Sequence, residues 1–233
     1  KKADDAYYNQ DEPIMSDREY DRLEDMIRKR DPANKYLSKI GAEASSSSVY
    51  VDLPVNLFSQ DKRKDSKTVD AWIEDFGESV VISNKLDGIS GLYFNIDGQE
   101  PKLYSRGTSS QGQDLSRLLK YLDIPKVKCI ARGELIISKT NFKKLKRNYE
   151  SGKISFKSNK FPANGRSLVA GQVNSKIPDP EVMKYVEFIA YDLIEPKKII
   201  SDQLKWLKKH KFNIVDSGTT KRLNFDILVE VLN

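Results

Sequence analysis

The sequence predicts an α+β fold, on three observations. Apolar and aromatic runs at Leu92-Tyr93-Phe94 and Leu103-Tyr104 flank Asp97-Gly98, a strong hairpin signal. Helix-period stretches lie between such strands, with no repeating strand–helix–strand unit of a parallel sheet. A polar run over residues 45–48 reads as a linker. It follows a small helical part, residues 1–42, and opens a larger part, residues 43–233, of antiparallel sheets with flanking helices.

The first helix starts at Ser16, because Ser16 and Glu19 form a capping box that satisfies free N–H groups at the helix start. Tyr20, Leu23 and Ile27 make its apolar stripe. It ends near Arg30, since Asp31 precedes Pro32 and is steered out of the helical region. Val80-Val81-Ile82 reads as a strand entering a loop over residues 84–91. The Asp97-Gly98 hairpin follows. Cys129-Ile130 and Leu135-Ile136-Ile137 then bracket Arg132-Gly133-Glu134 within one further strand. Residues 142–149 read as a short basic helix, 186–193 as a strand, and 201–209 as a helix carrying Leu204, Trp206 and Leu207. No internal repeat is visible.

Composition narrows the class. A chain of 233 residues can hold one large domain or a medium domain with an appendage, and 38% hydrophobic residues supports a core. No apolar run approaches the roughly 18 residues that span a bilayer, and no signal-peptide pattern opens the sequence. Cys129 stands alone, which excludes a disulfide framework and a cysteine-based metal site. An intracellular, cytoplasmic setting follows, or a nuclear one. Forty Lys plus Arg against thirty-four Asp plus Glu leave +6, which suits a polyanionic partner without requiring one. The basic runs at Lys62-Arg63-Lys64, Lys143 to Arg147 and Lys208-Lys209 are each accounted for more simply as solvated faces.

The chemistry centres on Lys85-Leu86-Asp87-Gly88 at the end of the Val80 strand. Residues i and i+2 of an extended segment point to one side, so Lys85 and Asp87 can share a pocket. Gly88 lets the backbone turn or approach a ligand. A lysine amine attacks only unprotonated, and burial or neighbouring cations favour that form. Ser105-Arg106-Gly107 leads to Gly112 and Asp114. Arg132 and Glu134 put charge inside a strand, where it needs partners. Asn164-Gly165-Arg166 offers a guanidinium suited to bidentate phosphate binding. Singly, each has a plainer account: a turn at Lys85, a surface Arg106, an Arg132–Glu134 ion pair, a loop Arg166. Together they describe phosphoryl transfer by positioning and charge neutralisation. On the first helix, Asp17, Tyr20 and Asp21 share one face, with Tyr7 and Tyr8 ahead of them. A flat cationic ring would suit that aromatic and acidic surface. An Asp17 that merely favours the helix start and a core Tyr20 account for it more simply.

The order of these blocks resembles the N-terminal part of NAD-dependent DNA ligases, over nearly the whole chain. Ala6-Tyr7-Tyr8 through Asp17-Arg18-Glu19-Tyr20-Asp21-Arg22-Leu23 is similar to that family's NMN-binding subdomain, and Ile40-Gly41-Ala42 to the junction after it. Leu57-Phe58-Ser59, Lys85 with Asp87 and Gly88, Ser105-Arg106-Gly107 with Gly112 and Asp114, Arg132-Gly133-Glu134, Asn164-Gly165-Arg166 with Ala170-Gly171, and Tyr191 follow in family order.

The resemblance implies a nucleotidyltransferase fold and a covalent lysyl-AMP at Lys85, formed from NAD with release of NMN and with magnesium assisting. It implies that Asp87, Gly88 and Glu134 hold the ribose, that Arg106 and Arg166 engage phosphates, and that Tyr191 stacks on adenine. Ser59 falls in the segment before the nucleophile. Tyr7, Asp17, Tyr20 and Asp21 would hold the NMN half. AMP would pass to the 5′-phosphate of nicked duplex DNA, by a monomeric enzyme. Tyr8, Ser83 and Asn174 stand where the family usually has histidine, glutamate and arginine, and Thr108-Ser109 departs from its arginine-glycine block. These differences suggest a divergent branch, viral in type, for which a viral factory is a further setting. Later lysine-bearing motifs, the oligonucleotide-binding barrel and the zinc module lie outside the chain, so residues 43–233 read as truncated and nick sealing is not expected of them alone. An ATP- or GTP-using RNA ligase or capping enzyme shares K-x-D-G, and a non-catalytic binding remnant of the fold is the third reading.

Overall fold

The computed structural model describes residues 14–34, 50–57, 62–63, 65–77, 79–107, 110–156 and 160–232, apart from the side chains of Asp17, Arg18, Asp21, Val231 and Leu232. The expectations at Tyr7, Tyr8, Ile40-Gly41-Ala42, the 45–48 linker, Ser59 and Thr108-Ser109 lie outside these residues.

Helix α1 (Asp17–Arg30) begins on the expected capping box. Ser16 N–H donates to Glu19 Oε2 at 2.9 Å, and Glu19 N–H donates to Ser16 Oγ at 3.3 Å. Arg28, Lys29 and Arg30 occupy its last turn, where the helix dipole favours cations. Of its apolar stripe, Tyr20 and Ile27 are half-buried while Leu23 stays exposed.

Strand β1 (Tyr50–Asp52) and helix α2 (Ser66–Phe76) precede β2 (Val80–Ser83), β3 (Ile89–Asn95), β4 (Lys102–Ser105) and β5 (Gln111–Gln113). The hairpin between β3 and β4 turns at Asp97-Gly98 as expected, with Gly98 at φ +75°, a conformation glycine adopts without strain. A 3₁₀ helix (Ser116–Tyr121) leads to β6 (Cys129–Ile136), the strand carrying Arg132 and Glu134. Helices α3 (Lys139–Glu150), α4 (Gly165–Asn174) and α5 (Pro180–Met183) follow, then β7 (Glu187–Glu195), α6 (Ile200–Lys209), β8 (Ser217–Thr220) and α7 (Phe225–Leu232). The result is a mixed α+β architecture. The sheets are antiparallel: a central one in the order β4-β3-β6-β7, and two-stranded pairs β1-β5 and β2-β8.

Alternation along the strands gives the central sheet two unlike faces. Tyr93, Leu103, Ala131, Leu135 and Phe188 belong to the larger core, with Leu118, Leu145, Leu168 and Leu207 from the surrounding helices. Leu92, Phe94 and Ile130 form a smaller core with Leu53 and Leu57. That second face turns polar at its far end, where Ser90 pairs in register with Glu134.

Helix α4 was legible only as a motif-bearing loop. Asn164 caps it, accepting from Ser167 N–H at 2.8 Å, and Leu168, Val169 and Val173 sink into the larger core. Its other end is held by Arg117, which donates to the Val173 carbonyl and, at 3.0 Å, to the Ser175 carbonyl. Carbonyls at a helix end have no partner inside the helix, so a guanidinium there stabilises it. No described helix is long and apolar enough to cross a membrane.

Candidate active site

Lys85 lies on the loop between β2 and β3, with Asn84 N–H donating to the Asp216 carbonyl just before it. The Lys85 side chain is exposed. Gly88 closes the loop against β6. A methyl group there would lie 2.7 Å from Ile136 Cγ2 and 3.0 Å from Glu134 Cγ, and closer still to the Leu135 carbonyl oxygen. Only hydrogen fits, so the loop reaches the sheet because residue 88 is glycine.

Arg166 fastens the same loop from the other side. Its guanidinium donates to the Gly88 carbonyl at 2.6 Å and lies 3.4 Å from the Asp87 carboxylate. It occupies the first turn of α4, where the helix dipole disfavours a cation. Its place is therefore set by the loop it holds.

Glu134 is buried on β6 and accepts from Ser90 Oγ at 3.0 Å. Burial raises its carboxyl above the usual range. The Ser90 hydrogen bond, the positive charges of Arg166 and Lys85, and the Gly88 backbone oppose that rise. Lys85 and Arg166 thus both place positive charge near the Glu134 carboxyl.

Tyr191 enters through a bulge. Gly133 pairs with Ala190 while Arg132 pairs with Asp192, so Tyr191 is the extra residue on β7. Bulges re-aim side chains, and this one brings Tyr191 beside Ser90 and Glu134. Burial and the Glu134 charge raise its phenol.

The bulge also changes the partner of Arg132. The simple alternative paired it with Glu134 two residues along. Instead Arg132 Nη1 lies 3.5 Å from Asp192 Oδ2, and Nη2 donates to the Asn56 carbonyl at 3.1 Å. Arg132 thereby ties the segment before Ser59 to the sheet. Burial raises the Asp192 carboxyl, and Arg132 opposes the rise.

Arg106 is half-buried, one residue beyond the β3–β4 ladder, whose last pair is Gly91 with Ser105. Register therefore sets it opposite Ser90, across β3 from Glu134. Gly107 follows with φ +50°, and Gly112 lies against the Ser105 carbonyl with no room for a side chain. Asp114 lies 3.6 Å from Lys102 and accepts from Ser116 N–H, a local structural role. Asp17, Tyr20 and Asp21 belong to α1, and of their side chains the structure describes that of Tyr20, which is half-buried.

The loop lysine, Asp87, Gly88, Glu134, Arg166 and Tyr191 therefore converge, with Arg106 in the next row. Sequence reasoning did not name Ser90 or Asp192, and it named Asn164 only as part of the Arg166 block, without its capping role. Of these, only Asn164 left a signal, an N-cap residue three positions before Ser167.

An antiparallel α+β fold with a lysine loop clamped over a buried carboxylate defines a nucleotidyltransferase-type domain. Residues 50–232 match the NAD-dependent DNA ligase adenylation domain, and the chain belongs to that family. It is 35% identical to a DNA ligase of Acanthamoeba polyphaga mimivirus over 97% of this chain and 35% of that protein. A putative DNA ligase of Invertebrate iridescent virus 3 is 33% identical over 83% of this chain and 30% of its own length. A DNA ligase of Ruminiclostridium cellulolyticum is 27% identical over 97% and 36%. The chain spans about a third of the length of these relatives.

Proposed function

We propose that this chain carries out the first step of NAD-dependent DNA ligation. Lys85 Nζ attacks the adenylyl phosphorus of NAD. A P–N bond forms, the pyrophosphate P–O bond to NMN breaks, and the lysine proton leaves to solvent. The observation that carries this reading is the loop of Lys85, which Gly88 brings onto the sheet beside the buried Glu134 and which Arg166 holds at the Gly88 carbonyl.

In this reading Arg166 and Arg106 meet the phosphates and stabilise charge as it moves to the leaving group. Glu134 and Asp87 hold the ribose, with Gly88 letting it approach, and Tyr191 stacks on adenine. Ser90 keeps the Glu134 carboxylate oriented as an acceptor. Lys85 is exposed in the free chain, so the bound dinucleotide and its closure supply the desolvation that an attacking amine needs.

Residues 1–42 act as the NMN-binding subdomain, with Tyr7, Asp17, Tyr20 and Asp21 on the departing half, and Ser59 borders the adenylate from residues 43–233. No cluster of three metal-ligating side chains occurs among the described residues. In this reading magnesium is carried on the dinucleotide phosphates, with most of its ligands phosphate oxygens and water. The later acceptor is the 5′-phosphate of nicked duplex DNA, whose sealing requires parts of a ligase beyond these residues.

The test is intact-protein mass spectrometry after incubation with NAD and magnesium, with ATP in parallel and Lys85→Ala as control. A gain of about 329 Da, one AMP on lysine, from NAD and absent in the variant is the expected result. A gain from ATP instead would replace this reading with that of an ATP-using nucleotidyltransferase.

A further inference from the structure

Several described cations have a local account. Arg28, Lys29, Arg30, Lys208 and Lys209 sit in last helical turns, where the dipole favours them. Lys102, Lys128, Lys184 and Lys205 pair with carboxylates. Helix α3 is different. Five cations against Glu150 alone give it a net +4, in a chain whose total is +6.

The helical period sorts these charges. Phe142, Leu145 and Tyr149 turn inward: Leu145 is fully buried, and Phe142 packs on Phe161. Lys139, Lys143, Lys146 and Arg147, at i, i+4, i+7 and i+8, form an exposed stripe opposite. Glu150 stands within i+3 and i+4 reach of Arg147 and Lys146, yet among the described residues it forms no ion pair with either. Lys139 lies in the first turn, against the dipole, and like charges at i, i+4 destabilise a helix. Only Lys144, off the stripe, has a partner, the Tyr185 ring at 5.3 Å. Arg147, in the last turn, has the helix dipole in its favour; for Lys139, Lys143 and Lys146 nothing among the described residues offsets the like-charge cost.

The stripe's position gives it a use. Helix α3 starts directly after β6, whose Ile136 side chain is among the atoms that bar a Cβ at Gly88. The next residue, Ile137, packs against Gly165 beside Arg166. The basic stripe therefore leaves from the rim of the lysine site.

We propose that the stripe of Lys139, Lys143, Lys146 and Arg147 on α3 grips the phosphate backbone of duplex DNA beside the adenylation site. This rests on the reading of duplex DNA as the eventual acceptor. The contact is to phosphates alone, so it is independent of base sequence and of the nick. It adds to duplex affinity without entering the lysine–AMP step.

The test uses the full chain and its K143A/K146A/R147A variant, with fluorescence anisotropy of nicked and intact duplexes titrated from about 50 to about 200 mM salt. Alanine has the highest helix propensity and the three positions are exposed, so the fold is retained. Each phosphate contact contributes about 0.9 to the log–log salt slope. The variant should therefore show a slope shallower by roughly 2–3 on both duplexes, at least tenfold weaker binding at the lowest salt, and unchanged lysyl-AMP formation from NAD. K208A/K209A, at the end of α6, should bind as the parent does. A triple variant with parental slope and affinity would overturn the proposal. So would a parent chain that prefers phosphatidylserine vesicles or polyglutamate to duplex at equal salt. Absence of lysyl-AMP in the parent would instead remove the adenylation reading, and the duplex titration would still report on α3.

Discussion

Gly88→Ala tests the arrangement at its tightest point. The added methyl would meet Ile136 Cγ2 at 2.7 Å and Glu134 Cγ at 3.0 Å, with the Leu135 carbonyl closer than either. That carbonyl belongs to β6, and Leu135 pairs with Ile89 in the central sheet, so it cannot withdraw without breaking the ladder. The loop must move instead, by on the order of 1 Å, which at a reacting group costs roughly a hundredfold in rate. The 2.6 Å hydrogen bond from Arg166 to the Gly88 carbonyl would lengthen with it. Overpacking of this kind costs about 1–3 kcal/mol, which for a chain of this size lowers Tm by roughly 2–4 °C per kcal/mol. Single-turnover formation of lysyl-AMP by mass spectrometry, together with thermal unfolding, measures both effects. Gly171→Ala is the control. A Cβ there meets nothing within 4 Å, and alanine inside a helix gains about 0.5–1 kcal/mol over glycine. It should raise Tm slightly and leave the rate alone. Parental rate and Tm in Gly88→Ala would refute the claim that the loop is held against the sheet.

Three further expectations concern Glu134, Arg117 and Cys129. Burial raises the Glu134 carboxyl, so folding favours its protonated form relative to the unfolded chain, and that contribution to stability is lost as pH rises through the folded value. Glu134→Gln keeps an acceptor for Ser90; in melts across a pH series its Tm should exceed the parent's increasingly above about pH 4.5, while the KM for NAD rises about tenfold or more. A gap that stays constant with pH would contradict this. Arg117→Ala strips donors from the Val173 and Ser175 carbonyls and should cost about 1–3 kcal/mol, read as a lower urea midpoint with an unchanged slope. Cys129 is buried and its thiol is pushed up to about 12, so iodoacetamide at pH 8 should label it only after unfolding.

The parts of this molecule that were legible in the sequence are those whose signals are local. The capping box at Ser16, the Asp97-Gly98 hairpin and the apolar brackets around Arg132-Gly133-Glu134 each act within a few residues, and each element formed where expected. What was hidden depends on partners far along the chain. Ser90 in an apolar strand reads as a solvent-facing position until β6 sets Glu134 opposite it. The Arg132–Asp192 pair spans sixty residues and needs a bulge that leaves no mark of its own in the sequence. Helix α4 was masked by two glycines and two valines, poor helix formers; the larger core and Arg117 hold it in spite of them.

Two rules of stability are broken at one place, and the breaches explain each other. A cation stands in the first turn of α4, against the dipole, and a carboxylate is buried on β6 at a cost in burial energy. Each group would be cheaper elsewhere. Arg166 and Lys85 draw the Glu134 carboxyl back toward its usual range, and Arg166 in turn has the Gly88 carbonyl and Asp87. Such local conflicts, clustered and only partly relieved, mark functional sites more than structural ones. Among the described residues, the carboxylate within ion-pair distance of Arg166, that of Asp87, is largely exposed and screened. In the proposed reading a phosphate adds negative charge beside Arg166 at a helix N-terminus, where the dipole also favours it.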